Sequence, residues 1–286
     1  MSPIAAHPGG EGPGAELLHT ARALAADAAG AEVIAGLRAA GLDSILLKGA
    51  TTAQWLYEDE PRPYVDADIL VDPGRVLEAA GILEQLGFRP VEQHVSEHGH
   101  PWRRSSDGAE VDLHVSIWGP HLPPGALWDE LLRSTQAAQI GSVQVRVLTL
   151  PARALHVVLH ALQHEGRSPK ALEDLRRVIQ RAPLEVWLEA ERLADRLHAL
   201  SELGDGLLLD PSGRALLDAL PLAAAAARAN HDGAVLAVGM ARIARARGAG
   251  AKLGVVVRAL SSPRRAAHIL ARAPGAIAAY RRRRRG

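Results

Sequence analysis

Two aspartates stand two residues apart inside an otherwise apolar run, Val65-Asp66-Ala67-Asp68-Ile69-Leu70-Val71, and no other feature restricts the fold of this chain so sharply. The Val, Ile and Leu content reads as a buried strand. Side chains alternate along a strand, so Asp66 and Asp68 share one face. Two ionised carboxylates held side by side repel each other, and a buried strand has no reason to carry them without a compensating charge. A divalent metal is the usual one. A second apolar run, Val111-Asp112-Leu113-His114-Val115, repeats the spacing. Laid beside the first, it offers Asp112 as a third oxygen ligand. Upstream, Leu46-Leu47-Lys48-Gly49-Ala50-Thr51 reads as a strand that enters a helix through a glycine turn. Three converging carboxylates beside such a turn are what metal-assisted transfer of a nucleotide from an NTP requires.

Taken in order, these motifs resemble those of the nucleotidyltransferase superfamily with the DNA polymerase β-like catalytic core. Within it, the chain is similar to a bacterial nucleotidyltransferase group that reads roughly L-K-G, R-x-x-x-D-x-D-x-L-V and [E/D]-x-H. The matching positions are Leu47-Lys48-Gly49, then Arg62 through Asp66-Ala67-Asp68-Ile69-Leu70-Val71, then Asp112-Leu113-His114, and the likeness runs from about Ile34 to about Asp174. The superfamily's Gly-Gly or Gly-Ser is replaced by Gly49-Ala50-Thr51, which moves the hydroxyl one place on.

The resemblance implies an α+β fold, a polymerase β-like nucleotidyltransferase core of mixed sheet flanked by helices, followed by an all-helical C-terminal domain. It implies an enzyme that moves an NMP from an NTP to an acceptor hydroxyl and releases pyrophosphate. Asp66, Asp68 and Asp112 would hold Mg²⁺ or Mn²⁺, with Asp112 nearest the nucleophile, and the NTP is expected to be ATP. The acceptor is a small molecule, a peptide or a protein; members of the group occur in natural-product gene clusters, which suggests a tailoring role. A toxin-type nucleotidyltransferase acting on a protein or RNA is the rival enzyme. A nucleotide-binding or docking module without turnover is the rival outside catalysis.

Several residues carry two readings. Gly49 is either where a triphosphate meets backbone N–H groups at a helix N-terminus or a plain turn. Lys48 either reaches a phosphate or pairs with an acid, and Thr51 supplies the displaced hydroxyl. Arg62 suits phosphate recognition, with a surface arginine as the alternative. His114 either touches the nucleophile or a phosphate, or hydrogen-bonds an aspartate. His98, in His98-Gly99-His100, lines an acceptor pocket or sits in a loop, and His94, His98, His100 and His121 signal a zinc site only weakly. His156, His160 and His164 recur at i, i+4 and i+8 on one face of a helix. That spacing can bind metal or make interdomain contacts; with Asp174 these residues would form the acceptor side of the cleft.

Composition narrows the remainder. The chain has no cysteine, which excludes disulfides, thiolate metal sites and thiol nucleophiles. Formal net charge is +1, yet Arg281 to Arg285 contribute +5, so the rest of the chain is near −4. A mildly acidic body argues against nucleic-acid binding. The Pro/Gly-rich start lacks the pattern of a signal peptide, and no apolar run has membrane-spanning length, so a cytoplasmic protein is expected. Expected organisation is a disordered stretch over 1–14, a catalytic domain over 15–150, a helical domain over 151–280 opened by Pro151, and an arginine tail over 281–286. Within the helical part, breaks are expected near Pro183, Gly204 to Gly206, Pro211, Pro221, Gly248 to Gly250, Pro263 and Pro274.

Overall fold

The computed structural model describes residues 13–58, 60–91 and 98–229. Expectations placed on residues 1–12, on His94 and the far end of the strand begun at Phe88, and on everything from 230 through the arginine tail lie outside the described residues. Pro13 and Gly14, expected to be disordered, fall within the first helix.

That helix, α1 (Pro13–Ala39), precedes β1 (Ser44–Leu46), α2 (Ala50–Leu56) and β2 (Asp66–Val71). A single 3-10 turn (Pro73–Arg75) leads into α3 (Val76–Gln85), followed by β3 (Phe88–Pro90), β4 (Gly99–Arg104) and β5 (Glu110–His114). Then come α4 (Pro124–Arg133) and the hairpin β6 (Thr135–Ile140) and β7 (Val143–Leu148). Beyond β7 the described chain is helical: α5 (Leu150–Gln163), α6 (Pro169–Arg181), α7 (Leu184–Arg196), α8 (Leu200–Leu207), α9 (Pro211–Asp218) and α10 (Pro221–Ala229).

The seven strands form one mixed sheet in the order β3-β4-β5-β2-β1-β7-β6. β2 runs parallel to β5 and antiparallel to β1, while β1 runs parallel to β7. Alternation along β2 divides its side chains between two apolar layers. Ala67, Ile69 and Val71 pack with Val33, Ile34 and Leu37 of α1 and with Val111 and Leu113 of β5. Leu70 faces the other way, into a layer with Ile45, Leu47 and Leu148 of the strand region and Leu155, Leu159, Trp187 and Leu203 of the helices. Asp66 and Asp68 share the face of Leu70, so the carboxylates look toward the C-terminal helices. One continuous apolar layer therefore joins the sheet to the helices that follow it.

Gly204 and Gly206, expected to break a helix, lie inside α8. Their role is close approach. A Cβ on Gly204 would sit 2.7 Å from the Ala223 carbonyl oxygen of α10, and one on Gly206 would sit 2.4 Å from Val158 Cγ1 of α5. Backbone packing against two neighbours outweighs the roughly 1 kcal/mol that a helical glycine costs. The expected breaks near Pro183, Pro211 and Pro221 do fall between helices, and two further interruptions, at Glu165–Gly166 and at His198, carry positive φ. Among the described residues, no helix is long and apolar enough to cross a membrane.

Candidate active site

Parallel pairing of β2 with β5 sets Asp68 directly beside Asp112 and Asp66 beside Glu110. Because Asp112 and His114 are also two apart, both project on the face that carries Asp66 and Asp68. One ligand atom each of Asp68, Asp112 and His114 lies within 4.8 Å of the other two. No other such grouping of three occurs among the described residues, so the scattered histidines at 98, 100 and 121 do not assemble one.

The like charges of β2 do find a compensating cation, and the chain itself provides it. Lys48 Nζ lies 3.1 Å from Asp68 Oδ1, and His114 Nε2 lies 3.0 Å from the same oxygen and 3.2 Å from Asp112 Oδ2. Burial alone would raise the Asp68 pKa, but the Lys48 charge and the His114 hydrogen bond hold it well below the usual carboxylate range. Burial would lower that of His114, yet its hydrogen bonds to Asp112 and Asp68 raise it to about 9. At Asp66, burial and the Asp68 charge outweigh the attraction of Lys48 and Lys170 and push its pKa up. Of the two readings for Lys48 and His114, the structure displays the acid pairing.

One carboxylate oxygen is left over. Asp112 Oδ1 is buried without a hydrogen-bond partner. The space beside it is kept open by Gly99 of β4, which pairs with His114; a Cβ there would lie 2.8 Å from Asp112 Oδ1 and 2.8 Å from His114 Nδ1. An oxygen-rich set with an unsatisfied carboxylate oxygen fits a hard divalent cation.

Asp66 and Asp68 open into a cavity of about 250 Å³. Lys48, Gly49, Arg62 and Tyr64 line it from the first half of the chain, and His160, His164, Ser168 and Lys170 from α5 and α6. Gly49 makes the turn into α2 with φ 79°, a backbone conformation that glycine adopts at no steric cost, and its carbonyl accepts from Thr52 and Ala53. Thr51 is buried, its Oγ1 has no partner, and it does not line the cavity.

Arg62 reaches the cavity while two of its donors are already taken. Its Nε donates to Asp174 Oδ1 at 2.9 Å and its Nη2 to Asp174 Oδ2 at 2.6 Å, with the two side chains 2% and 3% exposed. Tyr57 Oη donates to the same Asp174 Oδ1 at 2.8 Å. Asp174 therefore faces Arg62 and Tyr57, and not the cavity. The trio ties α2 and the loop before β2 to α6, and α6 presents Ser168 and Lys170 to the cavity from its N-terminal end.

His156 is buried and donates to the Leu47 backbone carbonyl, which steadies the residue before Lys48. Burial, then the Lys48 charge, lowers its pKa to about 3. Because the folded value lies below the ordinary 6.5, the stability that neutral His156 permits is complete above about pH 6.5 and is lost as pH falls toward 3. Between pH 6.5 and 5 that loss amounts to about 2 kcal/mol. His156→Gln keeps an N–H donor and cannot be protonated, so its stability should fall correspondingly less over that interval in urea unfolding. Equal pH dependence in both proteins would show that His156 folds charged.

His98 precedes β4, its carbonyl accepting from the Val115 N–H, and it does not line the cavity. His100 is exposed, on the face of β4 opposite Gly99. Reading the sequence missed Tyr64, Ser168 and Lys170 as lining residues and Tyr57 as the partner of Asp174. Ser168-Pro169, an N-cap residue before a proline, was the one visible signal among them.

Residues 14–210 match the family described as uncharacterised nucleotidyltransferase. No curated protein matches the chain in sequence. Among solved structures, the antibiotic-resistance factor ANT(2'')-Ia in solution is 17% identical, with 64% of this chain and 96% of that one aligned at a TM-score of 0.44. The lincosamide antibiotic adenylyltransferase LnuA with lincomycin bound is 13% identical, with 50% and 89% aligned and a TM-score of 0.34. An antigenic nucleotidyltransferase-like protein from Paracoccidioides brasiliensis is 17% identical, with 66% and 90% aligned and a TM-score of 0.39. With the family match spanning more than half its length, the chain belongs to the uncharacterised nucleotidyltransferases.

Proposed function

We propose that this protein is a metal-dependent nucleotidyltransferase that moves an NMP, in the first instance AMP from ATP, onto an acceptor hydroxyl and releases pyrophosphate. The observation that carries this reading is the register of β2 and β5, which sets Asp68 beside Asp112 on the face where Asp66 opens into a polar cavity. Asp66, Asp68 and Asp112 are the residues that would hold Mg²⁺ or Mn²⁺. When bound, the metal would neutralise phosphate charge and make an acceptor hydroxyl easier to deprotonate.

The chain's own groups do the rest. Lys48 stands at the cavity edge beside Gly49 and can exchange Asp68 for a phosphate oxygen. Arg62, held by Asp174, and Lys170 add positive charge to the same cavity. The Asp112–His114 pair lies on the Asp68 side and suits the acceptor end, where Asp112 can accept the hydroxyl proton. The acceptor would enter between the sheet and the α5–α6 wall, with the change of architecture near Leu150 marking the two sides of the cleft. Cytoplasmic NTP and Mg²⁺ would supply such an enzyme.

Mg²⁺ or Mn²⁺ together with an NTP should raise the melting temperature, and EDTA should remove the gain. Isothermal calorimetry that finds no metal-dependent NTP binding at millimolar concentrations would overturn the catalytic reading in favour of a docking module.

A further inference from the structure

His160 and His164 sit one turn apart at the end of α5, His164 being its C-cap residue. Their Nε2 atoms lie 3.2 Å apart, within hydrogen-bond distance, and their rings meet edge to face with centroids at 4.7 Å. Both line the cavity, on the wall past which the acceptor would enter, and nucleotide transfer gives neither a chemical role. One ring donates to the other only while it carries its proton on Nε2; with both protons on Nδ1, the two Nε2 lone pairs converge at the cavity wall.

We propose that His160 and His164 chelate one transition-metal ion of the Zn²⁺ class on the cavity wall, with its remaining coordination positions open to the cavity. Zinc–imidazole bonds are about 2.0–2.1 Å long. Two nitrogens 3.2 Å apart can both meet that length with an angle of about 100° at the ion, between square-planar and tetrahedral values. Imidazole donors select Zn²⁺, Ni²⁺ or Cu²⁺ over Mg²⁺, which takes oxygens, so this site and the carboxylate centre hold different ions. Burial, then the Lys48 charge, lowers the pKa of both rings, to about 2 for His160, so protons do not compete with metal at neutral pH. Lys48 opposes a dication here, and the Asp68 carboxylate beside it offsets that repulsion. The open positions would take water or an oxygen of whatever fills the cavity.

The inference is independent of nucleotide transfer, because metal binding alone tests it. Full-length protein, stripped with EDTA and dialysed, is titrated with Zn²⁺ in the presence of excess Mg²⁺. Binding at micromolar Zn²⁺ is expected, weakened roughly 10–100-fold or more in His164→Ala and in His160→Ala. Asp112→Asn should bind Zn²⁺ as the parent does, and Asp68→Asn should bind it only a few-fold more weakly, through the Lys48 charge it unmasks. His164 is exposed at a helix end, so His164→Ala should melt with the parent; electron paramagnetic resonance of the Cu²⁺ form should show two imidazole nitrogens, reduced to one in that variant. Zn²⁺ affinity unchanged in both histidine variants, affinity lost in Asp112→Asn, or no micromolar binding at all would each overturn the proposal.

Discussion

Asp68→Asn should lower nucleotide transfer by on the order of 10³-fold or more, since it removes charge from the carboxylate that Lys48 and His114 both address. The substitution exchanges one oxygen for an amide at nearly constant volume, so the effect reports charge and ligation and not a cavity. Mg-NTP affinity should fall with it. Asp112→Asn should lose transfer to a similar degree while largely keeping Mg-NTP affinity, because Asp112 stands on the acceptor side with His114. Stability separates the two further. Asp68 neutralises Lys48 at 3.1 Å and His114 at 3.0 Å, and leaving those cations facing an amide should cost about 1–3 kcal/mol in denaturant unfolding. Pyrophosphate release and NTP affinity, measured for each variant after its melting curve confirms folding, provide the readout. Turnover like that of the parent in Asp112→Asn would show that the third carboxylate has been assigned wrongly.

Alternation made much of this site legible in the sequence. Asp66 and Asp68 had to share a face of their strand, Asp112 and His114 had to share one of theirs, and an apolar strand had to bury the residues between them. Gly49 marked the turn into α2 because its chain neighbours were already strand and helix. Elsewhere local pattern and tertiary demand part company. Nothing local says that Tyr57, the C-cap of α2, would hold Asp174 of α6, more than a hundred residues on, or that Lys170 would share a cavity with Lys48. Edge strand β6 is only half apolar, Thr-Gln-Ala-Ala-Gln-Ile, since it exposes much of itself and carries little apolar period. Gly204 and Gly206 looked like punctuation because glycine in isolation favours turns; here its missing side chain admits two other helices. Compensation of the aspartate pair was likewise half visible. Repulsion demanded a cation, and elementary electrostatics could not say whether a metal or Lys48 with His114 would answer it.

Arg62→Met should destabilise the fold by about 3–5 kcal/mol, because it strands the Asp174 carboxylate in a site where only Tyr57 still donates to it. Asp174→Asn should cost a comparable amount by leaving the guanidinium buried without its countercharge. The pair itself need not be worth that much. Burying two charges carries a desolvation cost close to the attraction regained, so Arg62→Met/Asp174→Leu should be more stable than either single variant. A double-mutant cycle in denaturant unfolding measures the coupling directly. The cycle also decides between two roles for Arg62. If phosphate recognition is its main work, Arg62→Met should melt close to the parent and show its defect in NTP affinity. If it chiefly ties the loop before β2 to α6, stability falls first, and Asp174→Asn, which never touches the cavity, lowers NTP affinity as well. That second pattern is expected, because Asp174 takes two donors of Arg62 and fixes the direction in which the remaining nitrogen can reach. Loss of NTP affinity in Arg62→Met with full stability would remove the strap and leave Arg62 as a plain phosphate contact.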